Sequence, residues 1–217
     1  MSARGDSDVP SRAFTVESQR DRLLDAMAAC CAEKRYAEVS VGDVVARAGV
    51  SRSTFYNLFD DKEACFLDAY DEILGQFVTD VMHAIRTPGL SWEDQAENGL
   101  RAALAFMRSE PDFARMCIVD VFSAGPAALE RYLSAIRVMA TFINMNRDRS
   151  GSRGEIPDDI ANYLISGAVV VIRSKVVDGN TEILPTVGPD IIYGVLCPYV
   201  GQEEALERAE RYARTIS

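Results

Sequence analysis

The chain has 217 residues, 48% hydrophobic and 26% charged, the proportions of a globular protein that can bury a core without disulfide or metal staples. Its five cysteines (Cys30, Cys31, Cys65, Cys117 and Cys197) are odd in number, form no CxxC and follow no apolar leader, which argues against a secreted disulfide framework and points to the cytoplasm. The net charge of −10 argues at first sight against a phosphate-binding surface.

Residues 1–14 are polar, carry Gly, Pro and Ser, and read as a disordered arm. Arg4 and Arg12 could take such an arm into a DNA minor groove, although a plain tail is the simpler reading. Glu17 to Lys34 reads as the first helix, because Leu23, Met27 and Cys30 or Cys31 make one apolar stripe. Cys30 and Cys31 are therefore read as core residues. Ser40 followed by Asp43 is a capping-box start for a short second helix, with Val44, Val45 and Ala48 facing a core. Gly49 ends that helix in a left-handed turn. Ser51 caps a third helix, Arg52 to Leu58, and Asp61 caps a fourth from Lys62 to about Met82.

Beyond Pro88 and Gly89 the helical pattern resumes over Trp92–Arg108, Asp112–Ser123 and Pro126–Arg147, the last opening on a proline suited to a first helical position. Arg147 to Pro157 is a polar loop. Pro157 to Asp178 is a long apolar helix, broken by Asn162, Ser166, Arg173 and Lys175 and read as too polar to span a bilayer. Gly179 to Gly188 is read as a loop before two final helices, Pro189–Cys197 and Gln202–Ile216.

The informative segment is Ser40 to Lys62, SVGDVVARAGVSRSTFYNLFDDK. Two short helices around Gly49–Val50–Ser51 have the proportions of a helix-turn-helix, whose second helix enters the major groove. Small Ala46 and Ala48 let the helices cross closely, and Val50 and Phe55 fill the space between them. The outer edge of the second helix then offers Arg52, Ser53, Tyr56 and Asn57 as hydrogen-bonding groups. Arg47, Arg52 and Lys62 balance Asp43, Asp60 and Asp61, so the segment is neutral and the rest of the chain carries the negative charge. A neutral face on an acidic body is compatible with DNA and predicts weak non-specific affinity with a modest salt dependence. Lys62 opens a helix, where a cation opposes the macrodipole; unless Asp60, Asp61 and Glu63 merely offset it, it needs a partner, and a DNA phosphate would be one.

The run from Leu23 to Phe66 resembles the DNA-binding domain of the TetR family, through Ala48–Gly49, Thr54–Phe55–Tyr56, Phe59 and Lys62. Arg35 departs from that pattern, since it precedes Tyr36 where the family usually has glycine; the first helix is therefore expected to end differently, with Arg35 exposed. The resemblance implies that Thr54, Tyr56 and Lys62 bind phosphate, that Arg52 and Ser53 face bases, and that Asn57 does either. With Ser51 these make up the expected DNA contacts. Leu196 to Gly201 resembles a segment of some TetR-type effector domains.

The expected fold is all-α. A three-helix N-terminal DNA-binding domain, 15–66, joins through the shared fourth helix to a bundle, 67–217, for effector binding and dimerisation. In such sensors Met and aromatic residues line the pocket; here the candidates are Phe106, Met107, Phe113, Met116 and Cys117, with Phe122, Met139, Phe142 and Tyr163. Tyr132 belongs to the same scattered set. Small residues Ser166–Gly167–Ala168 allow close helix approach, either at the centre of the bundle or at a dimer seam. A dimer would let two reading heads reach successive major grooves, roughly 34–36 Å apart.

The sequence is thus read as a cytoplasmic, homodimeric regulator, a repressor in the family's common mode. A small apolar or aromatic effector would release it from a palindromic operator. A constitutive regulator without effector, or a helical small-molecule carrier, are the alternatives. The sequence holds no nucleophile–base pair, metal cluster or phosphate-cradling loop, and a single His83 cannot build a metal site, so neither catalysis nor a cofactor is expected.

Overall fold

A computed structural model describes residues 12–147, 156, 157 and 159–216, with side chains described from 18 to 145 and again in the later stretches. Among the described residues ten α-helices are formed: α1 Arg12–Glu33, α2 Val41–Ala48, α3 Arg52–Leu58, α4 Lys62–Ile85, α5 Trp92–Ser109, α6 Pro111–Ile118, α7 Pro126–Arg147, α8 Ile160–Val177, α9 Gly188–Val200 and α10 Gln202–Ala213. The chain divides into two compact units, residues 1–69 and 70–217, the division falling inside α4. All described regular structure is helical, as the periodicity requires.

α1 begins earlier than the sequence reading placed it. No Pro or Gly stands between Ser11 and Glu33, so nothing stops the helix from extending back to Arg12. Residues 12–14 thus belong to a helix and not to an arm, while the rest of the expected arm, with Arg4, lies outside the described residues. Most of the expected loop at 147–157 lies outside them too. The expected loop 179–188 is largely a 3-10 helix, Thr181–Val187, which carries Leu184 and Val187 into the core. A similar short turn, Asp120–Ser123, follows α6 where one longer helix was expected.

In the first unit α1, α2 and α3 pack on one another around Leu23, Met27, Cys31, Val44, Phe55 and Phe66, all with no exposed surface. Burial raises the thiols of Cys30 and Cys65, the latter to about 12, so both behave as small apolar groups. In the second unit α5 packs on α9, and α9 lies along α10. Gly188 permits that last approach, since a Cβ there would stand 2.3 Å from the Tyr212 ring. Arg101 covers the ring at 3.6 Å from its centroid, and Trp92 meets Tyr199 edge to face at 5.5 Å.

α8 packs on α6, α7 and α9. By length and composition alone Ile160–Val177 is apolar enough to cross a membrane, as is Thr181–Val200, which corrects the exclusion drawn from the sequence: four polar residues do not outweigh the Val and Ile content. Only 17% of the α8 span is buried within the chain. Its outer face carries Tyr163, Val170 and Val177, at 74%, 64% and 50% exposure.

Candidate nucleic-acid interface

The first helix of the motif, α2, starts from a complete capping box. The Ser40 side chain accepts from the Asp43 N–H at 3.2 Å, and the Asp43 carboxylate accepts from the Ser40 N–H at 2.9 Å. Asp43 also accepts from the Lys34 ammonium at 2.8 Å. That partner, with the Ser40 hydrogen bonds, holds the Asp43 carboxyl well below the usual carboxylate range. Gly49 closes α2 at φ 64°, the left-handed conformation that the sequence asks of it. Ser51 caps α3 by accepting from the Thr54 N–H at 3.0 Å, and the two hydroxyls are 2.9 Å apart. Asp61 does the same for α4, accepting from Ala64 at 2.8 Å.

These caps fix the orientation of α3. Phe55 is fully buried and meets Phe59 at 5.6 Å between centroids, while Thr54 is half-buried. Arg52, Ser53, Tyr56 and Asn57 are exposed, Tyr56 by 56%, as is the capping residue Ser51. One edge of a seven-residue helix is thus apolar and anchored, and the other is polar and free.

Lys62 is placed differently from the sequence expectation. Its ammonium is part-buried and donates to the carbonyls of Tyr36 at 2.9 Å and Val39 at 2.8 Å, so the partner it needs comes from the chain itself. Tyr36 in turn packs edge to face on Phe66 at 4.7 Å. Burial, helped by the charges of Glu63 and Asp61, raises its phenol to about 12. Arg35 is extended at φ −71° and exposed, so α1 ends without the left-handed cap that a glycine would supply.

Half of the other described cations of this unit are committed. Arg20 pairs with Asp68 at 2.8 Å, Lys34 with Asp43, and Arg47 with Glu33. Among the described residues Arg22, Arg35 and Arg52 have no acidic partner. Arg22 comes within 4.0 Å of where a Cβ on Gly49 would stand, beside the turn of the motif, and no spacing or residue pattern singles it out.

Residues 23–69 match the family model described as bacterial regulatory proteins, tetR family. The likeness to the tetR family thus rests on residues 23–69. The match covers α2 and α3 whole, the second half of α1 and the start of α4. A relative is the HTH-type transcriptional regulator EthR of Mycolicibacterium smegmatis, 27% identical over 168 residues that cover 75% of this chain and 73% of the relative. Among solved structures, FadR from Bacillus subtilis, in complex with stearoyl-CoA, matches with a TM-score of 0.70 at 14% identity, covering 83% of this chain and 98% of that one. The fatty acid degradation regulator FadR from Bacillus halodurans matches at 0.68 and 17% identity, over 80% and 94%. The family match and the EthR relative, an HTH-type transcriptional regulator, both point to transcription regulation through α2 and α3.

The expected effector-pocket residues are not drawn to one place. Phe106 and Phe113 join Phe77 in an aromatic cluster, with centroids 5.6, 5.3 and 4.9 Å apart. Met107, Met116 and Cys117 are buried, and burial raises the Cys117 thiol. Met139 and Phe142 are half-buried. Phe122 and Tyr163 instead face outward, at 51% and 74% exposure. Phe122 packs on Tyr132 at 5.0 Å and lies under the Arg173 guanidinium at 5.3 Å. An open groove of about 540 Å³ is lined by Val78, Thr79, Met82, His83 and Arg86, with Thr87 and Pro88. His83, the single histidine, is exposed there.

A feature that sequence reading missed joins α5 to α10. Glu97, nearly buried, accepts from Arg208 at 2.9 Å and from Arg211 at 2.7 Å, and Asp94 takes both guanidiniums as well. The partners stand 111 or more residues apart, a distance at which charge pattern carries no signal.

Proposed function

We propose that this chain is a tetR-family, ligand-responsive, homodimeric repressor acting in the cytoplasm on a palindromic operator. The outward edge of α3 carries the reading: Arg52, Ser53, Tyr56 and Asn57 are exposed on a helix whose opposite residue, Phe55, is fully buried. Ser51 and Thr54, at the capped start of α3, complete the contact set with Lys62, which adds only the charge of an ammonium already held by the Tyr36 and Val39 carbonyls.

Dimerisation is supported by α8 and α9. Tyr163, Val170 and Val177 repeat every seventh residue on one helical face, and a Cβ on Gly167 or Gly194 would meet nothing within 4 Å in the same chain. Small residues facing open space, next to exposed Val and Tyr, suit a second copy. An apolar or aromatic effector is supported by the Phe77–Phe106–Phe113 cluster and by the buried Met107 and Met116. The stearoyl-CoA bound to a FadR of like fold supports an apolar chemistry of the same kind. α4 gives Phe66 to one core and Phe77 to the other, which makes it the natural route between effector and DNA. The effector must favour one state by roughly 1–3 kcal/mol to be useful.

The test is a mobility shift with duplexes selected by the full-length protein from a randomised library, followed by titration with acyl and aromatic ligands. Specific binding that is lost in Tyr56→Ala and weakened by a ligand supports the reading. Absence of any selected sequence sinks it.

A further inference from the structure

Gly42 occupies the first turn of α2, at an ordinary helical backbone. Glycine is a poor choice there on conformational grounds, because it weakens a helix relative to alanine and no left-handed φ demands it. The space beside it explains the choice. A Cβ on Gly42 would stand 3.1 Å from a terminal nitrogen of Arg52 and 3.4 Å from the Ser40 hydroxyl oxygen. The first distance is tighter than ordinary van der Waals contact, and the second stands at its edge. The guanidinium of the first residue of α3 therefore lies against the bare start of α2.

Arg52 arrives there uncommitted. Asp43, the carboxylate of that turn, is already held by Lys34 and Ser40, and no acidic partner of Arg52 occurs among the described residues. Its planar donors thus lie beside the unfilled position of Gly42 on an exposed residue. A rigid guanidinium is the group best suited to two-pronged contact with a guanine edge or a phosphate.

We propose, resting on the DNA-binding reading above, that Gly42 is a positioning residue for DNA recognition: its missing side chain lets Arg52 lie against α2 and fixes where that guanidinium meets the duplex. Any larger residue at 42 pushes the guanidinium off α2 without touching DNA itself.

The experiment compares wild type, Gly42→Ala, Gly42→Leu, Arg52→Ala and the double variant Gly42→Leu/Arg52→Ala as full chains. Each is assayed on the duplex that wild type selects from a randomised library, with thermal unfolding in parallel. Gly42→Ala is expected to keep or raise the Tm, since alanine favours the helix, and yet to bind a few-fold more weakly. Gly42→Leu and Arg52→Ala are each expected to lose on the order of tenfold, and the double variant no more than either alone. Losses that multiply in the double variant, or Gly42 variants that bind like wild type, would overturn the proposal while leaving the DNA-binding reading intact. If wild type selects no duplex, the broader reading fails instead.

Discussion

The Lys62 ammonium donates to the Tyr36 carbonyl at 2.9 Å and sits 4.0 Å from the centroid of the same residue's ring. A third contact, to the Val39 carbonyl at 2.8 Å, ties the start of α4 to the segment that follows α1. A helix-opening cation that should be unfavourable is thereby made a structural tie.

Lys62→Met should therefore cost stability as well as DNA affinity. Two carbonyls lose a charged donor, which is worth roughly 1.5–3 kcal/mol. Denaturant unfolding of the full chain measures this directly. A variant with unchanged unfolding and reduced affinity would show that the lysine serves the phosphate alone.

Neighbouring residues of α3 should divide cleanly. Phe55→Ala empties a fully buried site and should cost about 3–5 kcal/mol, removing DNA binding by unfolding the first unit. Tyr56→Ala, at an exposed site, should leave unfolding within about 0.5 kcal/mol of wild type while lowering operator affinity on the order of tenfold. Circular dichroism melts alongside mobility shifts separate the two outcomes.

The capping box makes the first unit acid-sensitive. Lys34 and Ser40 hold the Asp43 carboxyl below its ordinary range, so the folded chain binds that proton more weakly than the unfolded chain does. The stabilisation is complete above the ordinary aspartate value near about 4 and drains away as pH falls towards the lowered folded value. Asp43→Asn removes it at every pH. Melting temperatures of wild type and variant should differ near neutrality and converge in acid. Ser40→Ala should cost about 0.5–2 kcal/mol through the same cap.

The first unit was far more legible in the sequence than the second. Ser40, Asp43, Gly49 and Ser51 act on residues no more than four positions away, so spacing alone reveals their work. Lys62 acts across 26 residues on a carbonyl, and a backbone acceptor leaves no mark on residue type. The same holds for Gly42, whose reason is a guanidinium ten positions on. In the second unit Met and aromatic content marked the core but not which side each ring would face, so Phe106 and Tyr163 looked alike although one is half-buried and the other exposed.

Removing the charge of Glu97 should unfasten α10. The Glu97 side chain is 7% exposed and that of Arg208 is 12%, so their pairing is little screened by water. Glu97→Gln leaves Arg208 and Arg211 with Asp94 only in part compensated, and should destabilise the second unit by about 3 kcal/mol. Differential scanning calorimetry would detect the loss. An unchanged melt would mean that Asp94, Glu93 and Glu204 suffice for both arginines.

Val170 offers the sharpest test of self-association. It stands seven residues from both Tyr163 and Val177, on one face of α8, with Gly167 beside it and open space where a side chain would be. A stable pair of chains needs on the order of 1,200 Å² or more of buried surface, and a charge at the centre of such a seam would be desolvated without a partner. Val170→Glu should shift the protein from dimer to monomer in analytical ultracentrifugation while leaving the helical signal intact. Its DNA binding should fall on a full palindrome far more than on a single half-site, because the two reading heads would no longer be held together. A Val170→Glu protein that sediments as a dimer would move the seam to another face.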